Sequence, residues 1–231
     1  MSIKLIMAIA AISTIAVLSA CNDGTSTTEA KETTTTEVKA DSSNVAVKTE
    51  ESMMTPINDM MDKMKTMQMT GDFDHDYASL MINHHQGAVD LSQMALSKAT
   101  DAQVKTIAQT MITDHKAEID ELNKFLSSHD TTSAEHKKNT MAGHTHKEGS
   151  HTELSEGMNA MMDKMKGTTL SNNVDKDYVT LMLAHHQNAV KLSQDELSHG
   201  HHAELKKLAK KMIEDDKKEI AMFEKWLSSM K

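Results

Sequence analysis

The chain has 231 residues, of which 38% are hydrophobic and 26% charged, and its formal net charge is -9. That length allows one or two domains, and the acidic balance excludes nucleic acid as a partner, because phosphate binding needs clustered Lys and Arg. The 21 methionines outnumber the 16 leucines, 14 residues are His and aromatics are only 3%. The core is therefore expected to be aliphatic and largely Met-built.

Residues 1–20 read as a lipoprotein signal peptide. Lys4 supplies the positive start, and Leu5 to Val17 is an apolar run too short for a comfortable membrane span. It leads into Leu18-Ser19-Ala20-Cys21, which resembles a lipobox, with Cys21 as the lipidated mature N-terminus. Asn22, not Asp, follows. By resemblance to lipoprotein sorting signals, this points to a periplasm-facing protein anchored in the outer rather than the inner membrane. Cys21 is the only cysteine, so the mature chain offers no thiol to a metal. In an oxidising envelope, thioether and imidazole ligands also avoid the disulfide chemistry of a thiolate cluster.

Residues 21–52 are rich in Thr, Ser, Glu and Lys, with Thr33 to Thr36 at the centre. Such a segment cannot bury a core and reads as a disordered tether with a reach of roughly 30 Å.

The rest is an internal repeat. Met60-Met61-Asp62-Lys63-Met64-Lys65 recurs as Met161-Met162-Asp163-Lys164-Met165-Lys166, and Leu80-Met81-Ile82-Asn83-His84-His85-Gln86 as Leu181-Met182-Leu183-Ala184-His185-His186-Gln187. Leu91-Ser92-Gln93, Met111-Ile112 and Glu118-Ile119 recur at the same offset of 101 (161 − 60, 182 − 81, 212 − 111). Repeat one spans 53–128 and repeat two 153–231, joined by a polar linker, 129–152, that contains Met141 and His129, His144, His146 and His151. An ungapped repeat predicts one helical layout for both copies.

Each copy reads as three helices. Thr55-Pro56 suggests an N-cap followed by Pro at the first helical position, with Ile57, Met60, Met61, Met64 and Met67 forming an apolar stripe. Gly71 and Gly167 stand where these first helices should stop. The second helix is expected over about 74–97 and the third over about 101–127, both free of Pro because Pro56 is the only one in the chain. The fold class is all-α: a ferritin-like bundle built from two tandem helical repeats. The four long helices are expected to form one pseudo-symmetric bundle with the short Met helices against it; two separate bundles is the alternative.

Met81, His84 and His85 lie at i, i+3 and i+4, and Met111 and His115 at i, i+4 on the next helix. In a helical hairpin their thioethers and imidazoles can converge, and that donor set selects Cu(I) over hard cations. Met filling core gaps explains part of the Met content. It does not explain a His pair beside a Met twice in one frame, since buried His needs a partner. In repeat two Met182, His185, His186 and Met212 remain, but Met94 becomes Asp195 and His115 becomes Asp216. Repeat one is thus expected to hold the better Cu(I) site. The His-rich linker, with His199, His201 and His202, suits Cu(II), Zn or Ni in flexible loops. There is no Gly-rich phosphate loop and no His-Glu-x-x-His, and the one Glu-x-x-His, at 148–151, falls in the linker, so no enzyme is expected.

Leu-Met-x-x-His-His-Gln, preceded by Asp-x-Asp-Tyr or Asp-Lys-Asp-Tyr, resembles the Met/His-rich ferritin-like domain family of periplasmic copper-binding proteins, of the CopM type. The resemblance covers about 53–127 and 154–229. It implies a helical bundle and copper or silver binding through Met and His, often in copper tolerance; independently of it, no covalent chemistry is required and a copper-trafficking protein is a candidate further partner. Carried onto this sequence, it implies metal ligands among Met81, His84, His85, Met111, His115, Met182, His185, His186 and Met212. Met61, Met64, Met94, Met162 and Met165 complete the candidate set. A ferritin-like metal oxidase and a Met-rich protein-interaction module are the competing readings.

Overall fold

The computed structural model describes residues 52–129 and 150–230. The signal peptide, Cys21, the tether and linker residues 130–149 lie outside the described residues. Repeat one forms α1 (Thr55–Thr66), α2 (Phe73–Lys98) and α3 (Ala102–Ser128); repeat two forms α4 (Ser150–Lys166), α5 (Val174–His199) and α6 (Ala203–Ser229). Among the described residues the structure is all helical.

Three of the four long helices start where side chains satisfy their free N–H groups. Asp72 accepts from His75 N at 2.9 Å, Asp101 from Gln103 N at 2.7 Å and Asn173 from Lys176 N at 2.9 Å. The turn before α2 places Gly71 at φ 90°, and the residue in register with it is Asn172 at φ 62°. Gly and Asn are the residues that tolerate this left-handed conformation. Gly167 directly follows α4, as expected of a stop, but it is not the structural partner of Gly71.

Two expectations shift. Thr55 is the first helical residue and not the cap, since Met54 holds that position without a side-chain hydrogen bond. The linker is also shorter than 129–152, because α4 already runs from Ser150. Pro56 sits in the first turn of α1, where it cannot continue a helix backwards. Its counterpart in repeat two is Gly157, which imposes no such limit, so α4 extends upstream.

The long helices build one bundle. Helix α2 packs on α3, α5 on α6, and α2 against α5, while α1 and α4 pack on the central α2/α5 pair and on each other. Gly87 lets α1 come close, since a Cβ there would lie 2.6 Å from Met60 Sδ. Wholly buried Leu80, Leu91, Leu122, Met81 and Met111 fill the centre, together with Tyr77 and Tyr178.

The repeats are locked by reciprocal contacts. Tyr77 Oη lies 2.9 Å from Ser193 Oγ, and Tyr178 Oη lies 3.0 Å from Ser92 Oγ. Asp175 in α5 accepts from Thr100 N at 3.0 Å and Asp101 N at 3.1 Å, tying down the α2–α3 turn. Its counterpart Asp74 accepts from His201 N at 3.0 Å and His202 N at 2.9 Å in the α5–α6 turn. These pairs relate the halves by an approximate twofold axis, which passes where the rings of His84 and His185 stack at 3.6 Å.

Candidate metal centre

Helices α2 and α5 cross at their His pairs, and α3 and α6 bring His115 and Asp216 beside the crossing. The result is one buried cluster fed by both repeats. Ligand atoms of His115, His185 and His186 lie within 4.8 Å of one another, as do those of His186, Asp216 and Glu219. His186 belongs to both groups. His186 Nε2 stands 2.8 Å from Glu219 Oε2 and 3.8 Å from Asp216 Oδ1. On the repeat-one side, His85 Nε2 is 3.5 Å from Glu118 Oε2 and His115 Nδ1 is 3.8 Å from the same atom.

Two backbone carbonyls orient the imidazoles. His186 Nδ1 donates to Met182 O at 2.9 Å, the i−4 carbonyl of its own helix. That leaves Nε2 with its lone pair facing two carboxylates, an arrangement that requires a proton or a cation between them. His185 Nε2 donates to His84 O at 2.9 Å, and its buried Nδ1 has no partner. A carbonyl that fixes the tautomer and aims the other nitrogen is the usual outer support of a metal-bound His. Both nitrogens of His84 and of His85, and Nδ1 of His115, are likewise buried without a hydrogen bond. So many orphaned nitrogens in one place are costly unless something else satisfies them.

The electrostatics keep the cluster ready for a cation. Burial, followed by the charge of neighbouring imidazoles, holds His84, His115 and His185 well below the ordinary His range. Burial, then His186, brings His85 down to about 3. These rings are neutral, the form that binds metal. His186 is the exception: burial opposes its charge, but the Glu219 hydrogen bond and the Asp216 carboxylate raise it. Burial pushes Glu118 up to about 8, with Asp216 adding to the shift, and pushes Asp216 up to about 7 against the pull of His186.

A cavity of about 350 Å³ between α3 and α6 reaches this cluster, lined by His115, Glu118 and Glu121 on one side and Lys211, Asp215 and Glu219 on the other. Lys211 is paired with Asp215 at 3.6 Å. Lys218 lines the cavity too and pairs with the same acid at 2.7 Å, so the acids of the route outnumber its two lysines, which favours cations.

The expected ligands fall into three groups. His115, His185 and His186 come together, with His85 at the edge, its ring 4.8 Å from that of His115. His84 stacks on His185 just outside the convergent set. Met81, Met111, Met182 and Met212 are buried on the same four helices, and Met61, Met64, Met162 and Met165 in the core contributed by α1 and α4. Met94 lines a surface groove with Thr55, Pro56 and Asp59, three turns along α2 from His84.

One site per repeat, with repeat one the better, is the sequence expectation; in the structure His115 faces the other repeat's His pair, while His186, Asp216 and Glu219 group within repeat two. The physical reason is the α2/α5 crossing, which sets His115 against the other repeat's His pair. Sequence reasoning treated Asp216 as a weakening departure and left Glu118 and Glu219 without a role. Their recurrence three residues after positions 115 and 216, one helical turn on, was the available signal.

A family model described as a domain of unknown function, DUF305, matches residues 17–126 and 74–227. Among solved structures, CopM in its Cu(II)-bound form is similar at 24% identity and a TM-score of 0.50, covering 68% of this chain and 97% of that one. CopM in its Cu(I)-bound form is 23% identical with a TM-score of 0.47, covering 68% and 96%. A DUF305 protein from Streptomyces coelicolor is 22% identical with a TM-score of 0.49, covering 70% and 95%. No curated protein matches.

Proposed function

The chain belongs to the DUF305 family, in two tandem copies, and from the centre those copies share we propose that it is a copper-binding protein of the bacterial envelope. The observation that carries this reading is the convergence of His115, His185 and His186, with two tautomers preset by carbonyls and lone pairs turned inward. Imidazole suits copper among the first-row metals, and Asp216 and Glu219 extend the site to Cu(II). The Met-rich core of the same helices favours Cu(I), through thioethers such as those of Met81, Met111, Met182 and Met212. The all-helical fold shared with CopM, whose structure holds Cu(II), points the same way. Copper is the cargo: the protein takes it up reversibly, lowers its free concentration and passes it to a trafficking protein. Silver, as another soft monovalent ion, is expected to compete.

The test is an anaerobic Cu(I) titration of the full chain against a competing chelator. His115→Ala combined with His186→Ala is expected to weaken binding at least 100-fold while the helical circular dichroism stays intact. Equal affinity of variant and wild type sinks the proposal.

His115 with Glu118, and Asp216 with Glu219, are i, i+3 pairs on facing helices, and this mixed His/carboxylate set supports a second reading as a metal oxidase. Oxygen uptake in multiple turnovers by the Cu(I)- or Fe(II)-loaded protein favours it; a single stoichiometric oxidation at most favours the carrier.

The location belongs to the same proposal. Residues 1–20 are removed, Cys21 is lipidated, and the tether of 21–52 holds the helical part at the periplasmic side of the outer membrane. None of the described helices is long and apolar enough to cross a membrane. Cys21→Ser is expected to release the protein from the membrane fraction; a variant that still sediments with membranes contradicts the anchor.

A further inference from the structure

His186 belongs to two convergent groups, yet it has one nitrogen to give. Its Nδ1 is taken by Met182 O at 2.9 Å, so Nε2 is the atom it can offer to either group. The ring is fixed between them, held at one edge by that carbonyl and packed edge-on against Phe223 with centroids 5.0 Å apart. What differs between the groups is the donor set. With His115 and His185 it is three nitrogens; with Asp216 and Glu219 it is one nitrogen and two oxygens.

The oxygen-bearing group has an unmet need of its own. A proton on His186 Nε2 satisfies Glu219 at 2.8 Å but leaves Asp216 at 3.8 Å, beyond hydrogen-bond range. Asp216 is only 6% exposed, and its Oδ2 has no hydrogen-bond partner. Glu118 of α3 lies close enough to be repelled by both acids. The two lysines at the cavity, Lys211 and Lys218, pair with Asp215. A buried carboxyl in such surroundings must keep a proton or meet a cation. Repeat one has His115 at the position of Asp216, so this oxygen donor is particular to repeat two.

We infer that the centre offers two alternative metal positions that share His186: an inner one with His115 and His185 for Cu(I), and an outer one with Asp216 and Glu219 for a divalent first-row cation of the Zn(II) class. The inference deepens the copper reading above and rests on it for the inner position. Three protein donors, with the remaining direction open to the cavity that Glu219 lines, form a coordination that Zn(II) accepts. Carboxylate oxygens move the preference away from Cu(I). Because one lone pair binds one ion, the two positions exclude each other, and a divalent ion in the outer one competes with Cu(I).

The experiment uses the full chain without oxygen, with Zn(II) as the probe because it exchanges no electrons with Cu(I). Chelator-competed calorimetry is expected to show a tight Zn(II) equivalent in the metal-free protein and its loss once one equivalent of Cu(I) is loaded. Conversely, Cu(I) affinity should fall in proportion to free Zn(II). This competition is read on the wild type and depends on no variant folding. Asp216→Asn and Glu219→Gln are expected to lower Zn(II) affinity more than tenfold further than they lower Cu(I) affinity, and His115→Ala to do the reverse. A tight Zn(II) equivalent that persists in the Cu(I)-loaded protein overturns the inference, as does a Zn(II) affinity that falls no further than Cu(I) affinity in both carboxylate variants. Absence of Cu(I) binding in the wild type defeats the copper reading and the inference together, whereas Cu(I) binding that leaves Zn(II) in place defeats the inference alone.

Discussion

At the scale of single residues, the interface between the repeats depends on polar groups that are silent in the sequence. Ser92 and Ser193 lie in repeated Leu-Ser-Gln segments that look like ordinary helix surface, yet both are wholly buried. Each is satisfied by a tyrosine of the other repeat. Tyr178→Phe removes the partner of Ser92 and is expected to cost about 1 kcal/mol, the typical worth of a buried neutral hydrogen bond. Because the two side chains act as a pair, Tyr178→Phe with Ser92→Ala should cost less than the sum of the single changes. Denaturant unfolding of the four proteins checks this; strict additivity would show that the hydrogen bond carries no coupling.

At the scale of elements, each long central helix does two jobs with its first turn. Asp177 of α5 binds the incoming chain, accepting from Ser171 N at 2.6 Å, as Asp76 does from Thr70 N at 2.8 Å. Asp175, two residues earlier, reaches across to the α2–α3 turn and also accepts from Thr100 Oγ1 at 2.7 Å. Asp175→Ala would leave those backbone donors part-buried and unpaired, and should destabilise the protein by about 2 kcal/mol. Hydrogen exchange locates the effect: the first turn of α3 should lose protection more than the first turn of α5. Equal loss in both would mean that Asp175 serves its own helix and not its neighbour.

At the scale of the whole molecule, the two repeats bury one shared face. The α2/α5 face buries Tyr77, Tyr178, Met81 and Met182 together with four of the His side chains. Each half alone would expose that face. Residues 53–129 and 150–231 produced as separate chains are expected to be largely unfolded singly and to regain helicity when mixed. Neither half alone should bind copper with the affinity of the intact protein. Circular dichroism and Cu(I) competition on the halves and their mixture test this, and a half that folds and binds tightly by itself would contradict a shared centre.

Much of this architecture was legible in the amino-acid order. The gapless offset of 101 predicts two copies of one layout, and the periodicity places the described helices, apart from the start of α4, to within a few residues, because helix formation is governed by local caps, breakers and apolar spacing. The pairing of Met with a His doublet likewise marks the right stretch of α2 and α5. Which imidazoles meet was not legible, because that depends on how two amphipathic helices cross, and a spacing along one helix carries no information about the other. The crossing joins His115 to His185 and His186; Asp216 and Glu219 reach His186 from within repeat two, and Met94 lies in a groove beside α1. Helices and repeats thus follow from the sequence alone. The meeting of His115 from repeat one with His185 and His186 from repeat two was decided only when the two copies folded onto a common axis and buried their polar faces against each other.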